Sequence, residues 1–379
     1  MTKAQRQRWG SGAAPSPLAA FARKALSVTI LAFAWTAIFA GTASADTRTV
    51  YDTFQKKGGY TLSDYYGKWE NGPGGAYGLG DMGVSPGDTR SFAEGTFYID
   101  DAPFRTSYDF SVFDHLKYIA TSKQSFAVPA RGSVMFSSEI TASTPGTVPG
   151  RVVHGTYGPP GSYPNGGPYS ASVLQGQQAG AVMNMVDFCT GQLFDWFVAG
   201  STAFPLIERL PTSVTQNTSN PACAGNYAGP NEMYTQIIKE VPIAAGVTHR
   251  VGIRYTRTPK TSYVEYFLDG KLVAKSTNIG VPLDVQGVTY TGISPSIPGA
   301  TGEDLRTKIN SFSIGHGTFS LLDAFPYQWG WFDVCPGASL SPLEAAACGL
   351  SVSIPTSERL FGQGVRAHFD NFTVTTSTG

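Results

Sequence analysis

Tyr263 to Thr277 (YVEYFLDGKLVAKST) is the stretch that most narrows what this chain can fold into. Its first arm alternates, with Val264, Tyr266 and Leu268 on one side of an extended backbone and Tyr263, Glu265 and Phe267 on the other; Asp269-Gly270 then supplies a turn. An Asp-Gly pair between apolar runs suits the left-handed residues of a two-residue hairpin, so antiparallel β-structure is expected here. Glu265 falls on the polar side of that arm, and Asp269 is taken up by the turn.

The same reading extends along the chain. Val134, Phe136 and Ile140 alternate with Met135, Glu139 and Thr141, and strands are expected over 191–200 (GQLFDWFVAG), 233–241, 249–257, 309–314 and 369–375. Helical periodicity is confined to a short candidate at 340–348. Charged residues make up 14% of the chain, well below the roughly 25% of an average globular protein, while 44 glycines and 41 Tyr and Phe residues supply turns and strand formers. Short strands separated by turn signals predict an all-β fold, two antiparallel sheets packed face to face as a single domain over 46–379. Ser143 to Tyr169 and Pro211 to Pro230 read as long Gly/Pro loops, of a length usually associated with covering a site.

Residues 1–45 read as a secretory leader. Lys3, Arg6, Arg8, Arg23 and Lys24 precede an apolar stretch from Ala25 to Ala40, and Ala43-Ser44-Ala45 fits a small-x-small cleavage site. Without that leader the chain keeps all 27 acidic residues but only 22 of 27 basic ones, and no basic run survives. Nucleic acid is therefore not an expected partner, because phosphate binding depends on clustered Lys and Arg. No second apolar run is long enough to span a membrane, so none is expected in the exported part.

Four cysteines allow three pairings. Cys189 with Cys223 and Cys335 with Cys348 is the expected set, since each pair brackets a stretch rich in Pro, Gly, Ser and Ala. Neither spacing is that of a zinc site, which begins from closely spaced ligand pairs. No cofactor is expected. A structural calcium would draw oxygen ligands from Asp81, Asp88, Asp100 and Asp101, all read as N-terminal loop residues.

Several segments resemble a known fold. Tyr51-Asp-Thr-Phe54 leading to Lys68-Trp69, Phe267-Leu-Asp-Gly-Lys271, and Phe369-Asp-Asn-Phe-Thr-Val374 are similar to a concanavalin-A-like jelly roll. That group includes legume-type lectins, laminin-G modules, family 16 glucanases and several polysaccharide lyases. Thr190-Gly-Gln-Leu-Phe-Asp-Trp196, Gly315-His-Gly317, Asp323-Ala-Phe-Pro326 and Phe361-Gly-Gln-Gly364 resemble secreted bacterial and fungal proteins of unknown function. The resemblance implies a sandwich with a saccharide or cell-wall component as partner. It implies no activity, because site chemistry rather than fold decides function.

The enzymes of this fold set their own tests. Retaining glucanases place carboxylates two apart on an E-x-D-x-E strand, and no such strand occurs here. Alginate-lyase-like sandwiches carry a Gln-x-His strand; Gln236 has a counterpart of the Gln, but Ile238 stands where the imidazole base would be. The remaining catalytic candidates are Glu139, Asp195, Glu265 and His316, each of which also reads as an ordinary strand residue. For ligand binding, Gln236 and Arg254 offer hydrogen bonds, and Trp196, Trp329 and Trp331 offer flat faces for sugar rings. His316 lies between two glycines that leave room beside the ring, and His154 sits in the first long loop. The expected function is saccharide or cell-wall binding. A polysaccharide-cleaving enzyme with an unfamiliar catalytic set and a structural surface protein are the alternatives.

Overall fold

In a computed structural model, residues 46–70, 89–104, 116–148, 156–157, 179–210, 221–223, 225–226, 228, 232, 234–283, 285–286, 301–320, 352–353 and 362–379 are described. They contain β1 (Thr47–Asp52), α1 (Leu62–Lys68), β2 (Trp69–Glu70), β3 (Thr89–Ala93), β4 (Thr96–Asp101), β5 (Leu116–Ser122) and β6 (Phe126–Ala127). Then follow β7 (Gly132–Ser143), β8 (Thr156–Tyr157), β9 (Ala179–Asp187), β10 (Gln192–Ala199), β11 (Thr202–Arg209), β12 (Tyr234–Ile237) and β13 (Val241–Pro242). The chain continues with β14 (His249–Arg257), β15 (Ser262–Leu268), β16 (Lys271–Thr277), β17 (Ser311–Ser320), β18 (Val352–Ser353) and β19 (Val365–Thr378).

Two large antiparallel sheets result, as the strand pattern predicts, and β8 pairs separately with β18. The first has the order β16-β15-β14-β7-β19-β4-β3, with β1 also on β19; the second runs β12-β11-β10-β9-β17-β5-β2, with β13 on β11 and β6 on β17. The hairpin forms where the Asp-Gly pair places it. Asp269 and Gly270 both take positive φ (50° and 76°), and Leu268 pairs with Lys271 across the two-residue turn. Asp269 does more than turn the chain: its carboxylate accepts the Arg250 backbone N–H at 2.9 Å and contacts His249 Nδ1 at 2.8 Å, tying the turn to β14.

Alternation decides what lies between the sheets. Val264, Tyr266 and Leu268 meet Val251, Ile253 and Tyr255 on one side, and Phe194, Trp196 and Val198 with Met183 and Met185 on the other. Burying such side chains contributes about 1.5–3 kcal/mol each before the entropy of ordering is set against it. Two ring-to-backbone bonds cross the gap in opposite senses. Trp196 Nε1 donates to the Gly252 carbonyl at 2.9 Å, and the Tyr266 hydroxyl donates to the Leu206 carbonyl at 2.8 Å.

Two features depart from the sequence reading. β9 is buried along its whole length, so its sequence AGAVMNMVD shows an apolar run instead of the alternation that marks a half-buried strand. Helix α1 is too short for a periodic signal, and its start is set by a capping box in which Thr61 and Asp64 satisfy each other's backbone N–H. The candidate helix at 340–348 lies outside the described residues.

Cys189 and Cys223 are bonded, 34 residues apart, with Cys223 fully buried. Cys335 and Cys348 lie outside the described residues. On chain-entropy grounds, replacing Cys189 and Cys223 with Ser lowers stability by about 3–4 kcal/mol, measurable by urea unfolding with and without reductant. Among the described residues no helix is long and apolar enough to cross a membrane.

Candidate functional site

The sequence candidates do not converge; the fold distributes them over three layers. Glu139, Arg254 and Glu265 share the outward face of the first sheet. Arg254 stands directly opposite Glu265 in register, and Arg254 Nε donates to Glu265 Oε2 at 2.9 Å. Lys275 Nζ approaches Glu265 Oε1 at 3.6 Å, while the Arg254 guanidinium lies 4.9 Å from the Phe267 ring centre. Glu139 accepts from Asn371 Nδ2 at 2.8 Å, where a bulge in β19 holds Asn371 at φ 54°. These carboxylates are occupied by neighbours of the opposite sign or by an amide, as cross-strand pairs on a sheet face commonly are.

Trp196, Gln236 and His316 lie between the sheets, which corrects their expected place at a ligand surface. Trp196 is wholly buried in the core, its indole N–H spent on Gly252. Gln236 is buried on the inward side of β12, accepting the Leu283 N–H at 3.0 Å. His316 packs among Trp69, Phe97, Phe369 and Phe372, and its Nε2 is 2.8 Å from the Tyr65 hydroxyl, which is itself 2.6 Å from that of Tyr118. Burial pushes the imidazole down to about 3, so it is neutral at physiological pH. The flanking glycines serve the strand pairing. A Cβ on Gly317 would lie 2.0 Å from the Tyr118 carbonyl oxygen, a clash no side chain tolerates.

Asp195 alone points the other way, and it is not isolated. With Phe194, Trp196 and Val198 facing inward, Leu193, Asp195 and Phe197 face outward from the second sheet. Register places Asn184 of β9 directly beside Asp195, and Gly315 of β17 beyond Asn184. Glu208 of β11 pairs with Leu193, which brings its carboxyl diagonally next to that of Asp195. Asn184 Nδ2 donates to Asp195 Oδ1. Among the described residues Asn184 Oδ1 has no hydrogen-bond donor; it lies beside Gly315, where an added Cβ would be 3.1 Å away.

Asp195 is wholly buried and Glu208 nearly so. Burial, followed by the Glu208 carboxyl, holds the Asp195 pKa well above the carboxylate range, and only the Asn184 amide works against them. Asp195 Oδ2 lacks a donor, as expected where two carboxyl oxygens meet, and a proton held between them resolves the contact. Around this polar row, Phe197 stacks on Phe204 with ring centres 4.8 Å apart, and Leu206 completes an apolar border.

Sequence reasoning found Asp195 but not Asn184 or Glu208. For Asn184 the signal was present, since it stands between Met183 and Met185, and in a strand buried on both faces a lone polar residue marks a group requiring partners; Glu208, followed by Arg209, carries no such signal. What the linear chain lacks is the register that assembles them. Leu193 and Phe197 occupy the positions two residues either side of Asp195, so the second carboxyl on this face comes from a neighbouring strand.

The calcium expectation is also redrawn. Asp100 and Asp101 lie in strand β4 instead of a loop, on opposite faces, where Arg366 Nε binds Asp100 at 2.9 Å and the Thr318 hydroxyl binds Asp101 at 2.7 Å. Asp81, Asp88, His154, Trp329 and Trp331 lie outside the described residues.

Comparison with solved structures returns several proteins at low identity. An endo-1,3-beta-glucanase from Streptomyces sioyaensis is 10% identical, with 89% of this chain and 97% of that one covered and a TM-score of 0.39. An exolytic alginate lyase from Zobellia galactanivorans is 10% identical over 82% of this chain and 95% of that one, with a TM-score of 0.37. Peanut lectin is 10% identical over 88% and 98%, with a TM-score of 0.27. No curated protein matches the chain in sequence. A family model described as a family of unknown function, DUF6081, matches residues 89–378, and the chain belongs to that family.

Proposed function

We propose that this protein is an exported saccharide-binding β-sandwich whose ligand lies across the outward face of the second sheet. One observation supports the reading: Asn184, Asp195 and Glu208 stand together on that face, with the buried Asn184 Oδ1 lacking a donor among the described residues and an aromatic and aliphatic border alongside. Saccharide hydroxyls are donors as well as acceptors, and the apolar faces of sugar rings pack on aromatic side chains. Buried acceptors without donors are costly, on the order of 1–3 kcal/mol each, and a ligand that supplies donors recovers part of that. The Cys189–Cys223 disulfide is in keeping with an oxidising compartment.

The test is retention of the purified protein on a polysaccharide panel, with new reducing ends and unsaturated products measured in the same samples. Asn184→Leu is expected to weaken retention at least tenfold, whereas Arg254→Ala on the opposite sheet leaves it within twofold. Equal loss in both variants, with folding intact by circular dichroism, counts against this face. Product release would replace binding by cleavage as the function.

A further inference from the structure

We propose that Met135 is a peroxide-reactive site, oxidised at its thioether to the sulfoxide, and that the Arg250 guanidinium receives the sulfoxide oxygen. The inference is independent of the binding reading above, because it concerns the outward face of the first sheet. Met135 is the exception in its row. On β7, Ser133, Ser137, Glu139 and Thr141 share the outward face with it, and all are polar. Packing explains a long side chain at this position. Gly252, on the neighbouring strand β14, has no side chain, and Met135 Cε lies 2.7 Å from where its Cβ would be, close to Phe267. Packing does not call for sulfur there, since leucine fills such a space as well.

Exposure separates Met135 from the other methionines of the described fold. It is partly open to solvent, whereas Met183 and Met185 are wholly buried between the sheets, with the Ser138 hydroxyl donating to Met183 Sδ at 3.2 Å. Oxidation follows exposure, so dilute peroxide attacks Met135 while the fold protects the other two. In the reaction one peroxide oxygen bonds to Sδ as the O–O bond breaks. Sulfur loses two electrons, the peroxide gains them, and the second oxygen leaves as water. The product is a polar acceptor where the thioether was a weak one. Arg250 is the donor at hand. It is exposed, it stands opposite Glu139 in register without an ion pair among the described residues, and its Nη2 reaches Ser137 Oγ at only 3.4 Å. Ser137 is paired with Gly252, so the guanidinium and Met135 Cε lean toward the same cross-strand pair. Arg254, directly opposite Met135, is already engaged with Glu265.

The purified protein is treated with hydrogen peroxide at neutral pH, and oxygen uptake is followed by mass spectrometry after tryptic digestion. Arg131 and Arg151 bracket Met135 alone, so it is scored apart from Met183 and Met185. In the folded protein Met135 is expected to gain oxygen at least about tenfold faster than those two, and in concentrated urea the three react alike. Methionine sulfoxide reductase then returns Met135 to the thioether. For the donor, oxidation is expected to shift the unfolding equilibrium constant less in the unaltered protein than in Arg250→Ala, by at least about threefold, the size of one net hydrogen bond. Met135→Leu in both backgrounds supplies the baseline for the methionines outside the described residues. Core methionines that oxidise as fast as Met135 in the folded protein, or a Met135 that resists peroxide, overturn the site. An equal shift with and without Arg250 overturns the part given to the guanidinium and leaves the oxidation site standing.

Discussion

Trp196→Ala is expected to lower the unfolding free energy by about 3–5 kcal/mol, the range for truncating a fully buried large aromatic side chain. The indole fills the space between the sheets against Tyr266, with ring centres 6.1 Å apart. Its removal leaves a cavity that rigid strands on both sides cannot close, and it leaves the Gly252 carbonyl without its indole donor. Urea unfolding measures the loss. Trp196→Phe separates the two contributions, since it keeps most of the volume and loses the hydrogen bond, so a smaller loss of about 1–2 kcal/mol is expected. Saccharide retention by Trp196→Phe should equal that of the unaltered protein, because the ring faces away from the outward surface. A selective loss of binding with stability unchanged would return Trp196 to the ligand site.

Acid is expected to expose the second large effect. His316 is neutral in the folded protein down to about pH 3, whereas in the unfolded chain an imidazole takes up a proton near pH 6.5. Between those values the unfolded state binds more protons, so the contribution of His316 to stability is present in full above pH 6.5 and is lost as the pH falls. The loss amounts to roughly 2 kcal/mol at pH 5 and roughly 4–5 kcal/mol by pH 3, at about 1.4 kcal/mol for each pH unit. Among the described residues, the titratable groups in contact with the ring are Tyr65 and Tyr118, both uncharged in this range, and no carboxylate is bonded to the imidazole to soften the effect. Asp187, whose carboxyl burial pushes up to about 6, acts with the opposite sign and gains stability as the pH falls toward 4. The difference between the protein and its His316→Phe variant therefore isolates the imidazole. Urea midpoints should separate progressively below pH 6.5, with the variant the more resistant in acid. Parallel midpoints from pH 7 to pH 4 would show that the ring is not buried as a neutral group.

Much of the fold is legible in residues close together in the chain. The Asp269-Gly270 turn and the alternation of its arms need only local geometry, and Arg254 meets Glu265 across the short connection between β14 and β15. The Cys189–Cys223 pairing followed from the stretch it encloses. The candidate site was less legible. Alternation says that Asp195 and Trp196 face opposite ways, but it does not say which of them faces the partner sheet. The richer apolar set of Phe194, Trp196 and Val198 takes the interior, and Asp195 is left facing outward.

What the sequence determined by itself is therefore the sandwich: strand periodicity, turn chemistry and the scarcity of charge each constrain residues within one or two strands. What only the tertiary structure decided is which candidates share a surface. Glu208 reaches Asp195 through the pairing of β10 with β11, and Asn184 through β9. Tyr65 reaches His316 across 251 residues of chain. Such meetings depend on strand order and on which face of each sheet is buried against the other, and neither is written in the spacing of residues along a single strand.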